Sequence, residues 1–207
     1  MIRVLIAEDQ SMVRGALAAL LALEGDIAPV AEVGRGDEVV PRALEARPDV
    51  ALLDIEMPGL DGITAAAQLR QALPACRVLI LTTFGRPGYL RRAMAAGASG
   101  FLLKDAPASE LASAIRRAAA GARVVDPGLA IAALADGSSP LTDREREVLE
   151  ASAETGTIAE IAALLSLSEG TVRNHLSAAI QKLGARNRGE AARMALDKGW
   201  IGPGAED

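Results

Sequence analysis

Four short apolar runs in this chain each end on residues that can do chemistry. Val50 to Leu53 ends on Asp54, which precedes Glu56-Met57-Pro58-Gly59. Ile2 to Ala7 ends on Glu8-Asp9, Arg77 to Leu81 on Thr82-Thr83, and Gly100 to Leu103 on Lys104. A buried-strand run that stops at a polar group and then turns places that group at a strand's C-terminal edge. In open parallel sheets ligands gather at that edge. Taken singly, each residue is equally a turn former, a helix cap or a surface charge. Four such ends in one chain point to a shared rim. Carboxylates at Asp9 and Asp54 would repel each other there and need a cation. Mg2+ fits, because it takes oxygen ligands and retains waters. Its direct ligands would be Asp9, Asp54 and the backbone carbonyl of Glu56, with Glu8 acting through water.

The elements that must hold these groups alternate. Strands are predicted over Ile2 to Ala7, Val30 to Val33, Val50 to Leu53, Arg77 to Leu81 and Gly100 to Leu103. Helices are predicted over Ser11 to Leu23, Asp37 to Ala46, Ile63 to Leu73, Tyr89 to Ala96 and Ser109 to Ala120. Proline or glycine stops several of them. Five strand-helix alternations argue for an α/β domain, a doubly wound parallel sheet covered on both faces.

Asp126-Pro127-Gly128 marks a turn, Leu129 to Leu134 a short helix, and Ala135-Asp136-Gly137-Ser138-Ser139-Pro140 has linker composition. Beyond it the pattern is all-helical. Thr142 with Glu145, and Thr157 with Glu160, have capping-box spacing. Ser166-Leu167 makes a tight turn, Ser168 caps a third helix that Gly184 stops, and a fourth runs from Asn187 or Arg188 to Lys198. Four short helices with a tight turn between the second and third read as a helix-turn-helix unit. The domain plan is 1–122, a linker over 123–139, and 140–207.

On the third helix Val172, Leu176, Ile180 and Leu183 share the buried face, while Arg173, Asn174, Ser177 and Gln181 share the other. Arg and Asn suit guanine and adenine edges in the major groove. Lys182, Arg186 and Arg188 stand where phosphates would be met, and Thr171 with Ser168 opens the helix N-terminus toward a phosphate. The alternative is a solvated face on a packing helix, and it is stronger for Lys182 than for Arg173 or Asn174. The charge distribution supports a local footprint: residues 141–169 hold 2 basic and 7 acidic side chains, residues 170–198 hold 6 basic and 2 acidic.

Other classes are disfavoured. Charges interrupt every hydrophobic stretch before membrane-spanning length, Met1-Ile2-Arg3 leads straight into a strand without signal-peptide layout, and Cys76 has no partner for a disulfide. A soluble cytoplasmic protein with no membrane partner is expected. His175 is the only histidine, so a histidine-rich metal site is excluded.

Residues 1 to about 120 resemble the receiver domain of two-component response regulators, a flavodoxin-like fold. The matching motifs are Glu8-Asp9, Asp54 with Met57-Pro58-Gly59 and Asp61-Gly62, Thr82, and Phe101-Leu102-Leu103-Lys104. Residues 138 to 200 resemble the LuxR-type output domain of the NarL/FixJ class through Leu141-Thr142, Arg144 to Leu149, Ile158 to Ala162, Leu167-Ser168, Thr171 to Leu176 and Lys182-Leu183. Within that class, Glu8 to Arg14 and Thr82 to Tyr89 look like the DesR-type branch. The resemblance implies a non-enzymatic transcription regulator. A sensor histidine kinase would phosphorylate Asp54, with Mg2+ and Lys104 balancing charge and Thr82 binding the phosphate. Phe101 would rotate as an aromatic switch; plain core is the equal alternative. It also implies a homodimer on double-stranded promoter DNA, pairing through the last helix, where Ala191, Ala192 and Ala195 allow close approach, and through the first and fifth helices of the receiver on phosphorylation. An Asp after a buried strand also opens haloacid dehalogenase-type phosphohydrolases, which want an acid two residues on; Glu56 stands there. A phosphorylation-independent DNA binder is the third reading. Gly170 departs from the family and loosens its helix by about 1 kcal/mol.

Overall fold

A computed structural model describes residues 1–83, 87–126, 128–131, 139–154 and 157–201, leaving aside the side chains of Pro87 and Glu154. Phe84, Gly85 and Arg86 of the branch motif, and residues 127 and 132–138 of the expected linker with the end of its short helix, lie outside the described residues. The chain divides into two compact units, one over most of residues 1–130 and one beyond.

The first unit alternates as β1 (Ile2–Ala7), α1 (Ser11–Ala22), β2 (Ile27–Val33), α2 (Val39–Ala46), β3 (Val50–Leu53), α3 (Gly62–Ala72), β4 (Arg77–Thr82), α4 (Pro87–Ala95), β5 (Gly100–Leu103), α5 (Ala108–Ala119) and β6 (Val124–Val125). The strands pair in parallel in the order β2-β1-β3-β4-β5-β6. Five strands were expected; among the described residues there are six. Val124 and Val125 extend the edge by pairing with Gly100 and Phe101, within the stretch assigned to the linker. A two-residue strand carries too little periodicity to be read from sequence.

β2 also begins three residues before the expected Val30. Pro29 hid it, because proline is excluded from central strands. β2 is the sheet edge, where proline is tolerated, and the register with β1 shifts between Val4 and Leu5 beside it. The strands are buried on both faces, as parallel strands under two helical layers must be. Val4, Ile6, Val50, Leu52, Leu79 and Leu81 pack on one side with Leu21, Leu111 and Ile115. Leu5, Ala7, Ala51, Leu53, Val78 and Ile80 alternate with them and are equally buried.

The second unit contains α6 (Asp143–Glu154), α7 (Ile158–Leu164), α8 (Glu169–Leu183) and α9 (Arg188–Asp197). Thr157 and Glu160 form the capping box expected of them, Ser168 caps α8, and Asn187 caps α9. Ser166 turns the chain between α7 and α8 with φ 53°, and Gly184 ends α8 in the left-handed conformation. One aliphatic cluster joins the helices: Val148, Leu149, Ile161, Val172, Leu176 and Leu183 among others. Ala191, Ala192 and Ala195 belong to it, with relative exposures of 0, 9 and 0%. These three are therefore turned inward and are not the close-approach surface that the resemblance implied for them. Their small size lets α9 sit close to α6 and α8 instead.

Candidate functional site

Parallel pairing delivers the reactive groups to one rim. Ala7 is opposite Leu53, Leu53 opposite Ile80, and Thr82 opposite Leu103. β1 and β3 thus end level, β4 and β5 run two residues further to Thr82 and Leu103, and the residues that follow β1, β3 and β5 are Glu8, Asp54 and Lys104. Asp54 N–H donates to the Ala7 carbonyl at 2.9 Å, and Lys104 N–H to the Thr82 carbonyl at 2.8 Å, so the ladder continues into the site.

Lys104 Nζ lies 2.8 Å from Asp54 Oδ2 and 2.7 Å from Glu8 Oε2. Asp54 Oδ1 accepts the Ile55 N–H at 2.8 Å. Carboxylate oxygens of Glu8, Asp9 and Asp54 all fall within 4.8 Å of one another. Glu8 and Asp54 are buried and Asp9 is exposed. Burial pushes the pKa of Asp54 up; Lys104 opposes this and Asp9 adds to it. Burial raises Glu8 as well, against its hydrogen bond from Lys104. For Lys104 burial would lower the value, but the bonds to Asp54 and Glu8 prevail and hold it above the usual lysine range. Three acids against one ammonium leave excess negative charge on oxygen donors. That donor set fits a small, hard divalent cation.

The remaining rim residues are placed as follows. Thr82 is buried, 2% exposed, at the end of β4, and Phe101 is fully buried on β5. Glu56 is exposed on the loop leaving Asp54. That loop is pinned at both ends. Asp61 caps α3, its Oδ1 accepting the N–H groups of Ile63 and Thr64 at 3.0 and 3.2 Å. Gly62 packs so tightly on the Asp54 carbonyl that a Cβ would stand 1.8 Å from its oxygen. Gly36, before α2, donates to the Pro58 carbonyl at 3.1 Å. The Asp61-Gly62 pair was visible in the sequence as a motif; its steric reason was not, since a glycine's neighbours are set by the fold.

On α8, Arg173, Asn174 and Ser177 are exposed together, opposite the buried Val172 and Leu176. Arg173 Nη2 is 2.6 Å from Glu169 Oε2, one helical turn back. Thr171 is half-buried, its hydroxyl 2.8 Å from that of Ser168. Arg188 is half-buried at the start of α9. Lys182 is committed elsewhere: its Nζ lies 2.7 Å from Oε2 of the buried Glu145. That carboxylate also accepts the Thr142 N–H at 2.8 Å, and the Lys182 bond holds its pKa below the usual range. The ion pair joins α8 to the cap of α6.

An acidic pocket with an opposed lysine on a doubly wound sheet, followed by a helix-turn-helix unit, defines a class. The chain belongs to the response regulators with a LuxR-type output: residues 4–116 match the family described as response regulator receiver domain, and residues 139–195 that described as bacterial regulatory proteins, luxR family. It is 47% identical over 201 residues to the transcriptional regulatory protein DesR of Bacillus subtilis, covering 97% of this chain and 100% of DesR. To the uncharacterized transcriptional regulatory protein YvfU of the same organism it is 48% identical over 201 residues, with the same coverage. Among solved structures, the response regulator ChrA of a heme-sensing two-component system shares 36% identity over 97% of this chain and 98% of its own, with a TM-score of 0.58. No helix among the described residues is long and apolar enough to cross a membrane.

Proposed function

We propose that this protein is a phosphorylation-gated transcription factor: Asp54 accepts a phosphoryl group from a sensor histidine kinase, and the change of charge promotes pairing and binding of double-stranded promoter DNA. The observation that carries this reading is the position of Lys104 Nζ, 2.8 Å from Asp54 Oδ2 and 2.7 Å from Glu8 Oε2. An ammonium between two buried carboxylates is a ready countercharge for a third anion. The working division is 1–122 receiver, 123–139 linker and 140–207 DNA-binding domain, with the receiver boundary moved past β6 because Val124 and Val125 pair with β5, in a cytoplasmic protein.

Asp54 is the nucleophile. An Oδ atom attacks phosphorus, an acyl-phosphate O–P bond forms, and the P–N bond to the kinase histidine breaks with the electron pair returning to the imidazole. Phosphoryl transfer of this kind depends mainly on positioning and electrostatics. Ile55 N–H holds Oδ1 and so orients the carboxylate. Lys104 moves from carboxylate to phosphoryl oxygen as charge accumulates. Asp9, Asp54 and the Glu56 carbonyl, with Glu8 through water, would hold Mg2+, which when bound neutralises phosphoryl oxygens. The Thr82 hydroxyl then binds the phosphate and draws its loop inward, and Phe101 follows as a two-state element.

Arg173, Asn174 and Ser177 read base edges, while Thr171 and Arg188 contact the backbone. Lys182 plays a smaller part, since its ammonium already serves Glu145. Pairing on phosphorylation would use α1 and α5; Met12, Leu20 and Leu23 on or just past α1 are 84, 45 and 83% exposed. The names of its relatives describe transcriptional regulation, in keeping with a regulator rather than a turnover enzyme.

Incubation with acetyl phosphate and Mg2+ tests the reading. A lasting, stoichiometric phosphoprotein, lost in Asp54→Asn and accompanied by tighter promoter binding, is expected. Continuous turnover without a stable product would support a hydrolase. Promoter binding by Asp54→Ala equal to that of the unmutated protein would support a phosphorylation-independent binder.

A further inference from the structure

Each polar atom of Glu8 is held. Its N–H donates to the Val33 carbonyl at 3.1 Å, Oε1 accepts the Gln10 N–H at 3.3 Å, and Oε2 meets Lys104. Its carbonyl oxygen accepts from Nη1 of Arg14. The first three bonds come from the neighbouring strand, the adjoining turn and the pocket itself. The fourth comes from a side chain on α1 that has no part in the acidic cluster.

The Arg14 guanidinium is closely seated. Its Nε lies 3.9 Å from Glu32 Oε2 on β2, and its side chain is only 22% exposed. Gly34 lines the other side; a Cβ there would stand 3.2 Å from Nη1. Arginine's planar fork fixes the direction of its donors, which a lysine would not.

The bond matters because of what the Glu8 carbonyl is attached to. It shares a rigid peptide plane with the nitrogen and Cα of Asp9. Holding that oxygen fixes the plane, and with it the direction in which Asp9 leaves the backbone. We infer that Arg14 is a positioning residue for divalent-cation binding: through the Glu8–Asp9 peptide it aims the Asp9 carboxylate at the cluster formed with Glu8 and Asp54. This rests on the reading of those three acids as the cation site.

Charge and position predict opposite signs. Arg14 is a cation near the site, so on Coulombic grounds its removal should tighten Mg2+ binding. Loss of positioning should weaken it, by about 10–100-fold as for other outer partners of metal ligands. Calorimetric titration of the full chain with MgCl2 separates the two. Arg14→Ala, with circular dichroism and thermal midpoint confirming a folded chain, is expected to bind Mg2+ about 10–100-fold more weakly. Affinity equal to or tighter than that of the unmutated protein overturns the inference. Where Arg14→Ala does not fold, Arg14→Lys decides, since it keeps the charge but not the fork; a loss of about tenfold supports positioning, and unchanged affinity overturns it. Asp9→Asn is the control for the site. Undiminished Mg2+ binding in that variant would overturn the cation-site reading and this inference together. Weak binding in Asp9→Asn with full affinity in Arg14→Ala would overturn the inference alone.

Discussion

Lys104 and Asp54 are fifty residues apart in the chain, yet the ammonium of one lies 2.8 Å from the carboxylate of the other. The pair closes the rim of the sheet by joining β3 to β5 across the end of β4. It also sets the electrostatic state of the site, because burial alone would push Asp54 toward its neutral form.

That balance makes a pH prediction. Burial raises the folded pKa of Asp54 above its ordinary value. A carboxyl so raised binds its proton more tightly when folded than when unfolded, so its ionisation destabilises the fold. The cost is absent below the ordinary carboxylate range, grows as pH rises from there to the raised pKa, and is constant above it. Asp54→Asn removes it. The stability advantage of Asp54→Asn over the unmutated protein is expected to grow from about pH 4 upward and then level off. Urea unfolding at a series of pH values measures it, and an advantage that shrinks with rising pH would contradict the sign.

The tight seat of Gly62 makes another. A methyl group there would overlap the Asp54 carbonyl, and backbone on both sides must shift to admit it. Gly62→Ala is expected to cost about 1–3 kcal/mol, the range of overpacked cores, and to slow labelling of Asp54 by acetyl phosphate. Unfolding midpoints and labelling rates check the two effects separately.

Gly170 behaves in the opposite way. It lies within the first turn of α8, and the nearest atom to an added Cβ would be Ser168 Oγ at 3.8 Å, an ordinary contact. Gly170→Ala is expected to stabilise the chain by up to about 1 kcal/mol. A lower thermal midpoint would show that the helix start needs glycine for another reason.

Arg173 and Lys182 on α8 should separate cleanly. Arg173→Ala is expected to cost roughly 1–3 kcal/mol of specific DNA binding and to relax base preference, with little effect on stability. Lys182→Ala leaves the buried Glu145 without its ammonium. It is expected to lower stability by about 1 kcal/mol, discounted for the exposure of Lys182, with base preference unchanged. Footprinting on promoter DNA and urea unfolding of both variants test the distinction.

The amino-acid sequence alone determined the alternating strands and helices, the reactive group at each strand end, and the caps of the output helices. These rest on local rules: apolar runs stop where polar groups begin, and Ser, Thr and Asn side chains satisfy open N–H groups at helix starts. Tertiary structure decided the rest. Ala191, Ala192 and Ala195 have the same spacing whether they face inward or outward, and only packing against α6 and α8 chose inward. Lys182 lies on a polar helix face by periodicity, but its partner Glu145 is 37 residues away. β6 exists because β5 offers an edge to pair with. In each case the deciding partner is distant in the chain, and distance through space is what a one-dimensional pattern does not carry.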